Sequence, residues 1–126
     1  MPTQDQHLAK AEENEAAFHL LRGLARHPGW QATMLFYAAL QTVDAYLHAA
    51  GVLPPGTHRR SHRYRIQLVQ LHLGLSMRAD LVELQQTSED VRYDVRGLTG
   101  AEVDGLFSGP FTRIRTVVRT SLDRQT

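Results

Sequence analysis

Apolar residues recur at helical spacing through most of the chain, and this periodicity predicts an all-α protein. No segment alternates apolar and polar residues as a half-buried strand would. Because the predicted connections are short, we expect successive helices to pack antiparallel in a bundle of about five helices, with residues 1–126 forming a single domain. The predicted helices are 5–26, about 30–50, a third from Thr57 or His58 to Leu75 or Met77, 78–87, a short helix after Thr99, and about 110–123.

Turn-forming residues separate these predicted helices. Pro28 and Gly29 mark a turn after the first helix, and Gly51 is a common residue just beyond a helix end. Gly74 weakens the connection between the third and fourth helices, which no proline interrupts. The next segment, 88–98, has the composition of an irregular connection.

Two further signals mark the helices near the C-terminus. Thr99 is followed three positions later by Glu102, the spacing of a capping box, which predicts a helix start. Pro110 suits an early position of the last helix, where its missing N–H costs nothing.

The predicted second helix has a polar stripe beside its apolar one. At about 100° per residue, Phe36, Leu40, Val43 and Leu47 share one face. Asp44 and His48 are one turn apart and can pair. The stripe is a solvated face, a buried network that fixes helix packing, or a groove that binds a ligand. Its members are Trp30, Met34, Tyr37, Gln41, Asp44 and His48.

The predicted third helix is apolar on two sides. One stripe contains Tyr64, Leu68, Leu71 and Leu75, and the other contains Ile66, Val69 and Leu73. Gln67, Gln70 and Gly74 lie between the stripes on one side, where we expect water. Arg65, His72 and Ser76 lie on the other side, which predicts a groove or a subunit contact. The alternative is that Arg65 extends to solvent along apolar surface and that His72 is a satisfied core histidine.

Composition narrows the class of protein. The 126 residues are 42% hydrophobic, which predicts a packed domain rather than a disordered chain. There is no cysteine, so disulfides and thiolate metal sites are excluded. The N-terminus lacks a secretory signal, and polar residues interrupt the longest apolar stretch, so we expect a cytoplasmic protein without a membrane span.

Charge is nearly balanced overall but is clustered locally. The net charge is +1, and Lys10 is the only lysine among 14 lysines and arginines. Residues 58–65, HRRSHRYR, concentrate arginine and histidine, and arginine suits phosphate because its planar fork donates two parallel hydrogen bonds. We therefore predict a polyanion site on this segment together with Arg92. His58 and His62 have the spacing of metal ligands, but the flanking arginines disfavour a cation, so we expect no metal. No phosphate-loop motif is present, and we expect no cofactor.

Two stretches together resemble the HEPN family of small helical domains. They are WQATMLFYAALQTVDAYLHAAGVLPPGTHRR at 30–60 and LVELQQTSEDVRYD at 81–94. The resemblance implies a helical bundle that forms a homodimer, binds nucleotides or RNA, and in many members cleaves RNA without metal. It also implies that a small nucleotidyltransferase antitoxin is a possible class of partner. Gln41 departs from the family, where a histidine often follows the FYAAL run.

The family's ribonuclease motif is an arginine, four to six residues, and a histidine. Arg65 and His72 have six residues between them, although Ile66 replaces the polar residue that usually follows the arginine. In this interpretation His72 moves the 2′-hydroxyl proton, Arg65 stabilises the phosphate, and Tyr93 or Asp44 orients the substrate or the imidazole.

Two functions remain open from the sequence. One is a binding module for a nucleotide, an RNA or a partner protein, and the other is a metal-independent endoribonuclease, the toxin of a toxin–antitoxin pair. The predicted nucleotide- or RNA-binding residues are Tyr37, Gln41, Asp44, His48, His58, Arg59, Arg63, Arg92 and Tyr93.

Overall fold

The computed structural model describes residues 3–52, 62–93 and 97–124, and these ranges contain helices and no strand. The predicted all-α bundle is confirmed. The helices are α1 (Gln4–Gly23), α2 (Pro28–Ala49), α3 (His62–Leu73), α4 (Leu75–Tyr93), α5 (Gly100–Leu106) and α6 (Thr112–Asp123), with a π-helical segment at Phe107–Phe111 between the last two. None of these helices is both long and apolar enough to cross a membrane.

Helix α2 is the centre of the bundle, and α1, α4 and α6 pack around it. Its fully buried apolar side chains include Leu35, Phe36 and Leu47. Burying each such side chain contributes about 1.5–3 kcal/mol relative to leaving it exposed. They pack with buried residues of the surrounding helices, among them Phe18, Leu81, Leu84, Phe111, Ile114 and Val118.

Contacts between side chains fix the directions of the helices. Helix α1 is antiparallel to α2, because His7 meets Gln41 at one end while Gln31 reaches the Leu21 and Arg26 carbonyls at the other. Helix α4 is also antiparallel to α2. Near the start of α2 a Cβ added to Gly29 would touch Val91, and one turn later Ser88 Oγ donates to Thr33 Oγ1 at 3.5 Å.

The helix boundaries reflect local chemistry. The predicted capping box is confirmed, since Thr99 accepts from the Glu102 N–H and the Glu102 side chain accepts from the Thr99 N–H. Gly74 adopts φ +97°, a conformation that glycine tolerates best, and it separates α3 from α4. The prediction of an irregular segment from residue 88 was wrong for 88–93, which continue α4. Ser88 is fully buried there against α2, so tertiary packing overrides a polar, loop-like composition.

Pro110 lies inside the π-helical segment rather than in the first turn of the last helix. In an α-helix its ring would clash with the carbonyl of Leu106, four residues earlier, and the wider π turn relieves that clash. Thr112 Oγ1 donates to the Phe107 carbonyl at 2.6 Å across this segment. The chain therefore continues from α5 into α6 without a loop.

Candidate functional site

The polar stripe of α2 is divided among three neighbouring helices. Tyr37 Oη accepts from Arg92 Nη1 of α4 at 3.2 Å. Gln41 Oε1 lies 2.9 Å from His7 Nδ1 of α1, and Asp44 Oδ1 accepts from Arg65 Nε of α3 at 2.8 Å. The stripe therefore ties α2 to its surroundings instead of lining a single cleft, as expected for a network that fixes helix packing.

Asp44 and Arg65 form a buried ion pair. The Asp44 side chain is 1% exposed and the Arg65 side chain 9%. Removing one partner of such a pair typically costs about 3–5 kcal/mol, because the other charge stays buried without compensation. The structure thus places Arg65 at the contact with α2, whereas His72, on the same helix, is exposed. Their assignment as a ribonuclease pair stays a prediction.

His7 is a buried residue that the helical patterns in the sequence did not single out. It is 6% exposed, and its ring centroid lies 6.1 Å from that of His48. Because Gln41 Oε1 accepts a hydrogen bond, His7 Nδ1 carries the proton, and Nε2 has no hydrogen-bond partner among the described residues. The spacing of His7 with Ala11 and Phe18, both buried, is the signal that would have placed it on the inner face of α1.

Several arginines are held by carboxylates of other helices. Arg22 of α1 binds Asp104 of α5 at 2.7 Å, and this hydrogen bond holds the pKa of Asp104 below its usual value. Arg113 of α6 binds Asp80 of α4 at 2.8 Å, which raises the pKa of the guanidinium. Two further pairs join α6 to α1, namely Arg115 with Glu15 and Arg119 with Glu12. These arginines hold the bundle together.

Arg63 and Arg78 differ from those arginines. Both are exposed, and neither forms an ion pair with a carboxylate in the part of the chain that the structure describes. They line one groove of about 380 Å³ between α3 and α4, here called the arginine groove. Its polar lining is Arg63, Gln67, Arg78, Gln85, Gln86 and Glu89.

Glu89 is the one acidic residue in that lining, and its Oε1 accepts from Gln85 Nε2 at 3.2 Å. Two arginines against one carboxylate leave the groove cationic. The glutamine amides add both donors and acceptors, and Ile66 and Val82 add apolar surface. Such a lining can bind a phosphate and hydrogen-bond to groups beside it.

A second groove, also of about 380 Å³, lies where α2 begins and α4 ends; it is called the tryptophan groove. It is lined by His27, Gly29, Trp30, Thr33, Val91 and Arg92. On α4, Arg78, Val82, Gln85, Glu89 and Arg92 succeed one another at spacings of four and three residues, which places them on one stripe. The α4 surface therefore leads from the arginine groove to the tryptophan groove.

A groove of about 450 Å³ beside α5 has a different lining, with Glu83 and Glu102 facing Arg113. Since Arg113 is already paired with Asp80, this groove is not cationic. The described ranges contain no group of three or more histidines and carboxylates placed to hold a metal ion.

The remaining predicted site residues lie in several different parts of the fold. Arg63 lies in the arginine groove, Arg92 lies in the tryptophan groove, and His48 is half-buried near His7. Tyr93 is the last residue of α4, and its side chain is not among those described. His58 and Arg59 lie outside the described residues.

No protein-family model matches the chain, and neither a curated protein nor a solved structure matches it. The resemblance to the HEPN family therefore stays a prediction, and the function has to be argued from the grooves themselves.

Proposed function

We propose that this protein is a binding module for RNA, or for a polyanion of the same phosphate chemistry, and that the arginine groove is its binding surface. The observation that carries the proposal is the contrast among the arginines. Arg113, Arg115 and Arg119 are neutralised by carboxylates within the fold, whereas Arg63 and Arg78 face one groove without such partners among the described residues.

The chemistry of the groove suits a nucleotide chain. Each guanidinium can donate two parallel hydrogen bonds to a phosphate. The amides of Gln67, Gln85 and Gln86 can donate to and accept from base edges or the 2′-hydroxyl. The net charge of +1 means that attraction to a polyanion depends on this local surface rather than on the whole protein.

The resemblance to the HEPN family supports the same class of ligand, and two predicted residues, Arg63 and Arg92, line the two grooves. Under this proposal Gln41, Asp44 and Arg65 have a different task, which is to hold α1 and α3 against α2.

The test compares Arg63→Ala/Arg78→Ala with Arg119→Ala/Arg124→Ala, which removes the same charge near the end of α6 and, among the ion pairs of the described residues, breaks only the exposed pair of Arg119 with Glu12. Binding of a labelled 12-nucleotide RNA is measured by anisotropy between 50 and 200 mM salt. We expect the groove variant to lose affinity on the order of tenfold. Its salt slope should fall by about 1 to 1.5, because each phosphate contact on a single strand contributes about 0.7. Equal losses in both variants, or no binding by the wild-type protein, would contradict the proposal.

The alternative is a metal-independent endoribonuclease that uses Arg65 and His72, and the exposed imidazole of His72 is the observation that favours it. At 100° per residue, His72 lies on the opposite side of α3 from Arg63 and Gln67, so RNA in the arginine groove would not reach it. If this alternative is right, wild-type protein cleaves RNA in EDTA, and His72→Ala lowers the rate by about 10²–10⁴-fold.

The proposal includes a homodimer. Leu71 and Leu75 are 76% and 66% exposed at the turn between α3 and α4, and contact with a second copy would remove this apolar surface from water. Light scattering at micromolar concentration should give twice the monomer mass, and Leu71→Ser/Leu75→Ser should give the monomer. A nucleotidyltransferase antitoxin remains a predicted partner from the resemblance alone.

A further inference from the structure

Trp30 is a large aromatic residue that the fold leaves exposed. Its side chain is 57% exposed in the first turns of α2, and it is the only tryptophan in the chain. An indole ring gains substantially from burial, so an exposed indole at the rim of a groove is suited to contact with a ligand.

The surroundings of Trp30 fix its position. His27 adopts a left-handed conformation with φ 54°, and Pro28 begins the helix directly after it. Gly29 lies against α4, where an added Cβ would be 3.4 Å from the Val91 side chain, an ordinary van der Waals contact. Trp30 therefore extends from a point where α2 contacts α4.

The guanidinium of Arg92, which lines the same groove, is held in position by hydrogen bonds. Its Nε donates to the Ser88 carbonyl at 3.1 Å, and its Nη1 donates to Tyr37 Oη at 3.2 Å. Trp30 and Arg92 line the same groove. Proteins that bind single strands combine such groups, since the aromatic ring stacks on a base and the cation attracts the backbone.

We infer that Trp30 is a stacking platform for an unpaired base, and that the nucleic acid this protein binds is therefore single-stranded. This inference rests on the proposed function of the arginine groove. In a duplex the base faces are covered by neighbouring bases, so an indole ring cannot stack on them without opening the helix.

The α4 stripe sets the length of strand that both grooves engage. Arg78 and Arg92 are 14 residues apart on this helix, which corresponds to about 21 Å of helix axis at about 1.5 Å per residue. A stacked single strand advances about 3.4 Å per nucleotide, so roughly six nucleotides span the distance. The strand runs from the phosphate contacts at Arg63 and Arg78 to the base on Trp30.

The intrinsic fluorescence of Trp30 tests this directly, because no other tryptophan contributes to the emission. Wild-type protein is titrated with a single-stranded 12-nucleotide RNA, with the duplex of the same sequence, and with inorganic polyphosphate, which has no bases. We expect strong quenching by the single strand only. Quenching by polyphosphate equal to that by RNA would overturn the stacking inference.

Affinity measurements with variants complete the test. Trp30→Ala should weaken single-strand binding by about 5- to 150-fold, the range for loss of one stacked base, while Trp30→Phe should retain most of the affinity. Leu24→Ala is the matched control, because Leu24 is an exposed apolar residue, at 58%, that does not line the groove. Circular dichroism melts confirm that each variant is folded.

The outcomes separate this inference from the proposed function. If Arg63→Ala/Arg78→Ala loses affinity while Trp30→Ala does not, and Trp30 is not quenched, the arginine groove stands and the stacking platform is wrong. Tighter binding of the duplex than of the single strand would also overturn the inference. If wild-type protein binds none of the probes, both ideas fail.

Discussion

The arginines of α6 differ from those of the arginine groove in whether a carboxylate of the same protein neutralises them. On α6, Arg113, Arg115 and Arg119 each meet a carboxylate of another helix. Arg63 and Arg78 share their groove with amides, apolar side chains and a single carboxylate, Glu89, and neither forms an ion pair within the described ranges. The difference teaches that arginine content alone does not indicate a nucleic-acid surface, because intramolecular pairing decides which guanidinium groups are available to a ligand.

We expect the largest loss of stability at Asp44 and Arg65, because their ion pair is buried. Asp44→Ala leaves the Arg65 charge buried and should lower the free energy of unfolding by about 3–5 kcal/mol. Urea denaturation of wild type and variant measures this loss. The double variant Asp44→Leu/Arg65→Met removes both charges and should recover most of it; no recovery would mean that the loss comes from packing rather than from the broken ion pair.

The next largest effect concerns the turn that sets α3 against α4 and so shapes the arginine groove. Gly74 has φ +97°, and a Cβ there would meet no atom within 4 Å, so Gly74→Ala is strained without being crowded. We expect it to lower the free energy of unfolding by about 1–2 kcal/mol. Gly105→Ala is the control. It also meets open space, but without a left-handed backbone, and should be neutral or stabilising. Similar losses at both positions in thermal melts would refute the argument.

A smaller effect, on RNA affinity, is expected when the negative charge of the arginine groove is removed. Glu89 is the carboxylate that opposes Arg63 and Arg78 there. Glu89→Gln keeps the shape of the side chain and removes its charge, so RNA affinity should rise by about two- to fivefold at low salt. Glu12→Gln, which removes a carboxylate paired with Arg119 far from the groove in sequence, should change affinity less. Equal gains would indicate that only net charge matters.

The smallest effect belongs to the exposed pair Arg22 and Asp104. Arg22 lowers the pKa of Asp104 in the folded state, so the pair stabilises the protein above the unfolded-state pKa of aspartate, about 3.9. This stabilisation is lost as the pH falls through the lower, folded-state pKa. Stability of wild type and Asp104→Asn is compared from about pH 6 to about pH 2.5. The two proteins should converge at the acidic end, and a constant difference across the range would contradict the assignment.

The helical periodicity of the sequence predicted which side chains face water better than it predicted which residues they contact. It correctly placed Gln67 and Gln70 in water and separated them from Arg65. It singled out Gln41 and Asp44, but their partners His7 and Arg65 lie 34 and 21 residues away, and a helical wheel contains no information about contacts between helices. For the same reason it could not distinguish the arginines that pair with a carboxylate from Arg63 and Arg78, which form no such pair within the described ranges.

Trp30 shows a second limit of periodicity. Spacing alone assigns Trp30 to the polar stripe of α2, although that stripe turns inward at Asp44 and is open to solvent at Trp30. The change along the stripe comes from position, because Trp30 lies in the first turn of α2, where the bundle ends, while Asp44 lies between α2 and α3. Distance from the end of a helix is therefore as informative as the face on which a residue lies.

The π-helical segment at Phe107–Phe111 has a consequence for comparing this chain with any relative. A π turn holds about one residue more than an α turn, so it absorbs an extra residue without rotating the helix that follows, whereas an extra residue within an α-helix rotates the remainder by about 100°. Ile114, Val118 and Leu122, which follow this segment on α6, face the core of the bundle. A relative that lacks Pro110 could keep the same core with one residue fewer at this point. A one-residue gap in an alignment here would preserve the register of α6, whereas the same gap within α6 would turn its apolar face into water.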